Sequence, residues 1–384
     1  MFYDVVVIGA SSAGLFVAEL LAKSGIQVAL FEEVSEISPQ ARTYIITPGL
    51  FRVMPDVGDA LVRHQITRIQ LQSGSAAAEI ELAAPDLIVD RKELLVHLAR
   101  RAEEAGVIFH TGWKFTGFNK HEMNPRLVLK KGEDIFHVGA GVVIGADGVQ
   151  SSVKKALTGK WVPALPLLQA EIELPTDWDQ RVTKVWFKTE VTPYFFWLIP
   201  DQMNKGVVGL IAEKGDDIRT ALDSFLEENK LKALEYQSGS AAYHTSIGQI
   251  EHKIGEMRVL FVGDAAGHVK VTTVGGTVTG LCGARAAAEA IITGSGYRKK
   301  LKPVQRELDL HLFIRNLLIR MSARDYETLV GLITPAVKSF LRGHDRDSMR
   351  SHFWKLVVLQ PGFIPLGLKL LSRYIWDQIA GKST

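Results

Sequence analysis

Residues Tyr3 to Ile8 (YDVVVI) carry a near-continuous β-branched run, the pattern of a strand buried on both faces. Gly9 to Gly14 (GASSAG) follow. Then LFVAELLAKSG places apolar residues at helical spacing and closes at Gly25, and Ile26 to Phe31 form a second apolar run ending at Glu32-Glu33. Residues 66–89 alternate as an antiparallel hairpin does. Asp90 caps the helix RKELLVHLARRAEEAG, with Glu93 completing a capping box. Short strands are expected at 107–110, 114–119, 127–131 and 135–138 as a small meander, and at 142–144 as a buried strand. Three more lie within 181–213, a helix is expected over 216–236, and Val259 to Val262 are a strand leading into an alanine-rich helix from Thr279. Ser35 to Pro55, with Pro39, Pro48 and Pro55, is expected to be a loop. After Arg298 the pattern is helical throughout.

Length and composition narrow this picture. A chain of 384 residues, 47% hydrophobic and 23% charged, buries a large core and divides into subdomains. The single Cys282 excludes an internal disulfide framework and fits a reducing cytosol. No metal-ligand spacing is present, and neither is a basic signal-peptide n-region or a run of about 18 apolar residues that spans a bilayer. Charge is uneven. From Arg298 onward there are 16 Lys and Arg against 7 Asp and Glu, whereas the whole chain is only +3. Such a tail fits either a solvated helical face or contact with an anionic membrane, and its stretch 353–376, mixing tryptophans, apolar residues and bases, either caps a substrate cavity or lies in a membrane interface.

The first strand–helix–strand unit has the chemistry of a dinucleotide site. Gly9 makes a tight turn, Gly14 lets helix and strand approach, and the helix N-terminus with Ser11 and Ser12 faces a pyrophosphate. Ser11 replaces the middle glycine of G-x-G-x-x-G. Glu32 ends the second strand, where a carboxylate accepts bonds from ribose hydroxyls. Arg42 and Arg91 are candidates for phosphate contact, and Tyr44 for lining a pocket; each also reads as an ordinary surface or packing residue.

Two further motifs follow in order. Gly145-Ala146-Asp147-Gly148, with Ser151, Val153 and Lys154, resembles the DG motif of FAD-dependent enzymes with the p-hydroxybenzoate hydroxylase fold. Gly263-Asp264-Ala265-Ala266-Gly267 resembles their second FAD signature. The continuation VKVTTVGG is similar to the V-K-P-T-T-G-G-G segment of geranylgeranyl reductases, with Val271 in place of proline and Val274 in place of a glycine. Phe195-Phe196-Trp197-Leu198-Ile199-Pro200 resembles the same family's Y-x-W-x-F-P motif, with Phe195 and Ile199 substituted.

The resemblance implies an α/β fold: a discontinuous FAD-binding Rossmann-type domain (1–65, 90–160, 245–298), an inserted antiparallel-sheet substrate domain (66–89, 161–244) and a helical C-terminal region (299–384). It implies FAD held by Gly9, Ser11, Ser12, Gly14, Glu32, Glu33, Arg42, Arg91, Asp147, Asp264, Gly275, Gly276 and Thr277, with Tyr44, Phe195 and Trp197 toward substrate. The implied activity is saturation of the C=C bonds of a geranylgeranyl or polyprenyl chain, with NAD(P)H or ferredoxin as electron donor and His268 as candidate for proton transfer; a turn histidine facing solvent is the plain reading of His268. Nothing points to nucleic acid, and the implied location is cytoplasmic, with peripheral membrane contact open. The FAD motifs fit a monooxygenase or halogenase on the same fold equally well, although the W-x-W-x-I-P halogenase signature is missing. A non-catalytic flavin-binding protein is the third reading.

Overall fold

The structure is a computed structural model and describes all residues except 38–41, 120–123, 203, 214, 216, 246–249, 345 and 382–384. In chain order the elements are β1 (Phe2–Ile8), α1 (Ser12–Ala22), β2 (Val28–Glu32), β3 (Thr43–Ile46), α2 (Gly49–Val53), β4 (His64–Ser73), β5 (Ala76–Asp90), α3 (Arg91–Glu104), β6 (Ile108–Thr111), β7 (Lys114–Asn119), β8 (Arg126–Lys131), β9 (Asp134–Gly145) and α4 (Ser152–Thr158). There follow β10 (Ala164–Glu173), β11 (Val182–Trp186), β12 (Phe196–Pro200), β13 (Lys205–Ile211), α5 (Ile218–Glu228), β14 (Ala233–Ala242), β15 (Glu251–Ile254), β16 (Met257–Phe261), α6 (Thr277–Ile292), α7 (Tyr297–Leu318), α8 (Ala323–Gly331), α9 (Pro335–Arg342), α10 (Phe353–Leu359) and α11 (Phe363–Ile379).

The chain divides into two units. The first comprises 1–42, 90–164 and 241–309; the second comprises 43–89, 165–240 and 310–384. In the first, strands run in the order β15-β16-β9-β1-β2-β6. β1 pairs parallel with β2 and β9, and β16 pairs parallel with β9, as β-branched strands covered on both faces do. Val6, Val7, Leu30, Val143, Val259 and Phe261 are fully buried there. α1 packs on α3 and α6. Glu19 of α1, wholly buried, takes three bonds from Arg101 of α3 (2.8, 3.1 and 3.2 Å) and one from Lys23 (2.7 Å), so its charge is paired rather than stranded. β9 serves two partners. Asp134–Val138 pair with β8, and Gly139–Gly145 pair with β1.

In the second unit the order is β14-β10-β13-β12-β11-β4-β5-β3. β10–β13, β13–β12, β12–β11 and β4–β5 are antiparallel, and β11–β4 is parallel. α5 covers one face, where Phe196, Leu198, Leu210, Leu222 and Phe225 form a core.

Several expectations are corrected. Residues 43–65 fall in the second unit, because β3 joins the edge of the second sheet beside β5. The helix expected over 216–236 ends at Glu228. Lys230 turns left-handed (φ 55°), and Ala233–Ala242 is taken up as strand β14 beside β10. Ile108–Thr111 is not part of the meander; it pairs parallel with β2. Residues 135–138 and 142–144 form one continuous strand. The loop expected over 35–55 contains β3 and the single turn α2, and Pro39 lies outside the described residues. The C-terminal helices form as expected, but from Leu310 onward they belong to the second unit rather than to a region of their own.

Candidate functional site

The three glycine motifs meet at the carboxyl ends of β1, β9 and β16. A Cβ on Gly9 (φ 103°) would lie 2.6 Å from the Ala146 carbonyl oxygen, and one on Gly14 would lie 2.2 Å from the Gly9 oxygen. Only glycine permits both approaches. The Ala146 N–H donates to Ile8 O (2.8 Å) and the Val262 N–H to Gly145 O (3.1 Å), so the first and third motifs are each stitched to the second. Gly263 (φ 62°) presses against the Ala13 methyl of α1.

Around this junction the polar groups converge. Ser11 caps α1, its hydroxyl accepting from Gly14 N–H (3.2 Å), and Ser12 opens the helix; both are half-buried. Glu32 Oε2 accepts from Ala10 N–H at 2.6 Å, which places its carboxylate against the glycine turn. Asp90 caps α3 through Lys92 and Glu93 N–H (2.7 and 3.1 Å). The N–H of Arg91 donates to Arg42 O (2.8 Å), which brings the two candidate arginines together. Arg91 also acts on Asp264. Burial pushes the Asp264 carboxyl up to about 6, opposed by a backbone bond at Ala242 and by the Arg91 charge.

Gly276 caps α6, and a Cβ there would lie 3.2 Å from Asp264 Oδ1 and 3.0 Å from Val269. Thr277 begins α6, and Gly275 O accepts from Lys270 N–H (3.0 Å). Just before them Val274 holds φ 54°, a left-handed conformation that costs a β-branched residue about 1–2 kcal/mol. It packs with Val149 against Val162, Ala242 and Val269.

Other candidates are placed differently. Asp147 is occupied with its own turn: it accepts from the Ser151 hydroxyl (2.5 Å) and Val153 N–H (3.1 Å), with burial raising its pKa. Glu33 is exposed and paired with Lys114. His268 does not face solvent. It is 1% exposed, neither ring nitrogen has a hydrogen-bond partner among the described residues, and burial, reinforced by the charges of His244 and Lys154, lowers its pKa to about 3. Its carbonyl accepts from the Thr279 hydroxyl (2.6 Å). His244 is also buried, with Nδ1 3.0 Å from Gly267 O and Nε2 3.2 Å from Asp309.

Tyr44, Phe195 and Trp197 belong to the second unit. On β12, Phe196 and Leu198 face the α5 core, while Trp197 and Ile199 face the opposite side with Ile45, Ile66, Ile88 and Val207. Tyr44 is half-buried on β3, and Phe195 meets the Trp197 ring edge-on at 6.1 Å. The indole lies across Gly209, the residue paired with Trp197, where a Cβ would meet Cζ2 at 2.5 Å. Trp197 Nε1 is buried without a partner among the described residues. Beside it Gln169 donates to Gln237 (2.8 Å), a polar pair at the edge of an apolar face. Sequence reasoning missed Gly209 and Gln169. A glycine inside the strand run KGVVGLIAE was the available signal.

The first unit fits FAD. The glycine turn leads into an α1 N-terminus of the kind that takes a pyrophosphate, Glu32 ends β2 with its carboxylate against that turn, and Asp264 is a desolvated carboxylate beside the α6 N-terminus, suited to hydroxyl donors. The FAD binding domain family model matches residues 2–294. Digeranylgeranylglycerophospholipid reductase 2 of Methanothermobacter thermautotrophicus is 31% identical over 358 residues, covering 86% of this chain and 91% of the relative. Among solved structures, a geranylgeranyl bacteriochlorophyll reductase-like protein from Thermoplasma acidophilum superposes with a TM-score of 0.79 at 18% identity, covering 93% of this chain and 98% of that one. A flavin-dependent brominase superposes at 0.68 and 16% identity, covering 89% and 92%. The chain is a FAD-dependent oxidoreductase and belongs to the geranylgeranyl reductase family.

Proposed function

We propose that this protein saturates C=C bonds in the geranylgeranyl chains of a glycerophospholipid. The observation that carries the reading is the likeness across nearly the whole chain to a digeranylgeranylglycerophospholipid reductase. The apolar sheet face around Trp197, Ile199 and Val207 supports it. When bound, reduced FAD supplies the hydride for an alkene carbon, and the protein supplies position and electrostatics. Gly9, Gly14 and the α1 N-terminus with Ser11 and Ser12 take the pyrophosphate, with Arg42 and Arg91 contributing positive charge. Glu32 takes the ribose, Asp264 the polyol chain, and the Gly275–Thr277 backbone the flavin ring. Phe195, Trp197 and Tyr44 take the prenyl chain. Glu33 and Asp147, held in contacts of their own, act by shaping the walls of the site.

His268 enters this reading as a neutral ring at physiological pH. Neither ring nitrogen is bonded among the described residues, so its part in proton transfer depends on a partner that the bound flavin or substrate supplies. We assign the electron donor to NAD(P)H or ferredoxin and the location to the cytoplasm, with the basic C-terminal region making peripheral membrane contact.

The test is anaerobic. Reduced protein is mixed with a digeranylgeranyl glycerophospholipid, and flavin absorbance and lipid mass are followed. Reoxidation with a gain of two hydrogens per saturated bond is expected. Reoxidation only by oxygen, with oxygenated or halogenated product, would replace the reading with that of a monooxygenase or halogenase.

A further inference from the structure

α11 is built inside out for a helix at a water-exposed surface. Its charged residues are Lys369, Arg373 and Asp377, and each is drawn into a pair on the protein side. Lys369 and Arg373 bond to the buried Asp325 (2.6 and 2.7 Å), and Asp377 accepts from Arg320 (2.7 Å). Burial works against ionisation of Asp325, but the bonds from Lys369, Ser322 and Arg373 hold it well below the usual carboxylate range. The outer face carries Ile364, Leu368, Ile375, Trp376 and Ile379, with Leu368 61% and Trp376 69% exposed, and among them only Lys369 is both charged and exposed, its ammonium turned to Asp325; Ser372 and Gln378 are the exposed neutral polar residues. An ordinary surface helix shows the reverse arrangement.

α10 repeats the pattern with Trp354 and Val358, 74% and 78% exposed. A shallow, almost wholly apolar groove lies there between Phe340, Trp354, Val358 and Leu359, with Lys355 at its side. No single helix among the described residues is long and apolar enough to cross a membrane, and α10 and α11 meet at a bend of 120°. Leu366 and Leu370 of α11 are packed on Met321 and Tyr326, so only one side of the helix is free to enter an apolar medium. α9 and α10 carry Lys338, Arg342 and Lys355 and no acidic residue. Tryptophans stand in the first turn of α10 and the last turn of α11, the residue type that settles at headgroup depth.

We propose that α10 and α11 lie in the plane of an anionic phospholipid bilayer, with their outer apolar face among the acyl chains and the α9–α10 cations at the headgroups. This rests on the membrane-contact reading above and gives it a surface. The lipid substrate then approaches from the medium in which its chains already lie.

The experiment uses the full-length holoprotein with vesicles of phosphatidylcholine, alone or mixed with phosphatidylglycerol. Binding to the mixed vesicles, weakened by salt and accompanied by a blue shift of tryptophan emission, is expected. The exposed-face variant Leu368→Glu/Trp376→Glu is expected to keep its flavin absorbance and to lose at least about tenfold in vesicle partition. Unchanged partition of that variant overturns the proposal. So does a stable wild-type dimer that the same substitutions dissociate, which would assign the face to a second copy. Vesicle binding without reduction of any prenyl lipid upholds the surface and overturns the enzymatic reading instead.

Discussion

A Cβ on Gly283 of α6 would lie 2.1 Å from Nδ1 of His268, so the imidazole occupies the space that this glycine leaves on the helix. The turn that carries Asp264 and the helix that follows it are therefore packed against each other through this ring. Gly283→Ala should destabilise the protein by about 1–3 kcal/mol through overpacking, read as a lower Tm and reduced FAD retention. The double variant Gly283→Ala/His268→Ala should recover most of the loss. If the single variant melts like wild type, the ring is not seated against α6.

His268 also predicts a pH dependence. Its folded pKa, about 3, lies below the ordinary histidine value, so the unfolded chain binds the proton first. Its contribution to stability is complete above the ordinary value of about 6.5 and is lost as pH falls toward 3. His268→Met should flatten that acid limb in denaturant titrations between these limits. A limb of the same slope in the variant would assign it to another group.

Asp264 works in the opposite sense over an overlapping range. Its carboxyl is raised to about 6, so the desolvation penalty is absent at low pH and grows as pH rises from the ordinary value to 6. Asp264→Asn should therefore stabilise the apoprotein at pH 7 by on the order of 1–2 kcal/mol and should leave it unchanged near pH 4. The same variant should bind FAD more weakly. Equal FAD affinity would remove Asp264 from the cofactor site.

Glu32→Ala should lower FAD affinity at least about tenfold, the scale of one or two charge-assisted hydrogen bonds. The Ala10 N–H would lose its 2.6 Å acceptor as well. Equilibrium dialysis checks this, and full occupancy of the variant would reject the ribose assignment.

Val274 predicts a gain. Val274→Gly removes the left-handed strain of about 1–2 kcal/mol, against which stands the loss of its contacts with Val162 and Val269 and the extra freedom of glycine in the unfolded chain. A Tm equal to or a few degrees above wild type is expected. A clear fall would show that the packing outweighs the strain.

What could be read from the residues was the chemistry held within short windows. Gly9, Gly14, Glu32 and Gly263-Asp264 each declare themselves within a strand–turn–helix, and their order along the chain was enough to imply the cofactor. What could not be read depends on partners far away in sequence. Ala233–Tyr236 continues the helical pattern of the residues before it and yet opens a strand, because β10 offers an edge. Thr43–Ile46 is too short to signal a strand without β5 beside it. His268 reads as a turn residue until Gly283 makes room for it, and nothing near Trp197 in sequence shows that Gly209 provides the seat for its ring. The substitution of Val274 for glycine was visible, but its positive φ was not.

β9 acts as a ruler. Its first five residues are measured off against β8 and its last seven against β1, and the next residue, Ala146, is the one on which Gly9 rests. A residue deleted between Gly139 and Gly145 would draw the Asp147 turn back by about 3.3 Å and exchange the inward and outward faces of everything before it. One added in the turn between Lys131 and Asp134 would fall on the β8–β9 hairpin alone and leave the pairing of Gly139–Gly145 with β1 in place. Tolerance to length change in this protein should therefore switch off abruptly within a single strand, at the residue where it stops belonging to the meander and begins to set the spacing of the flavin cradle.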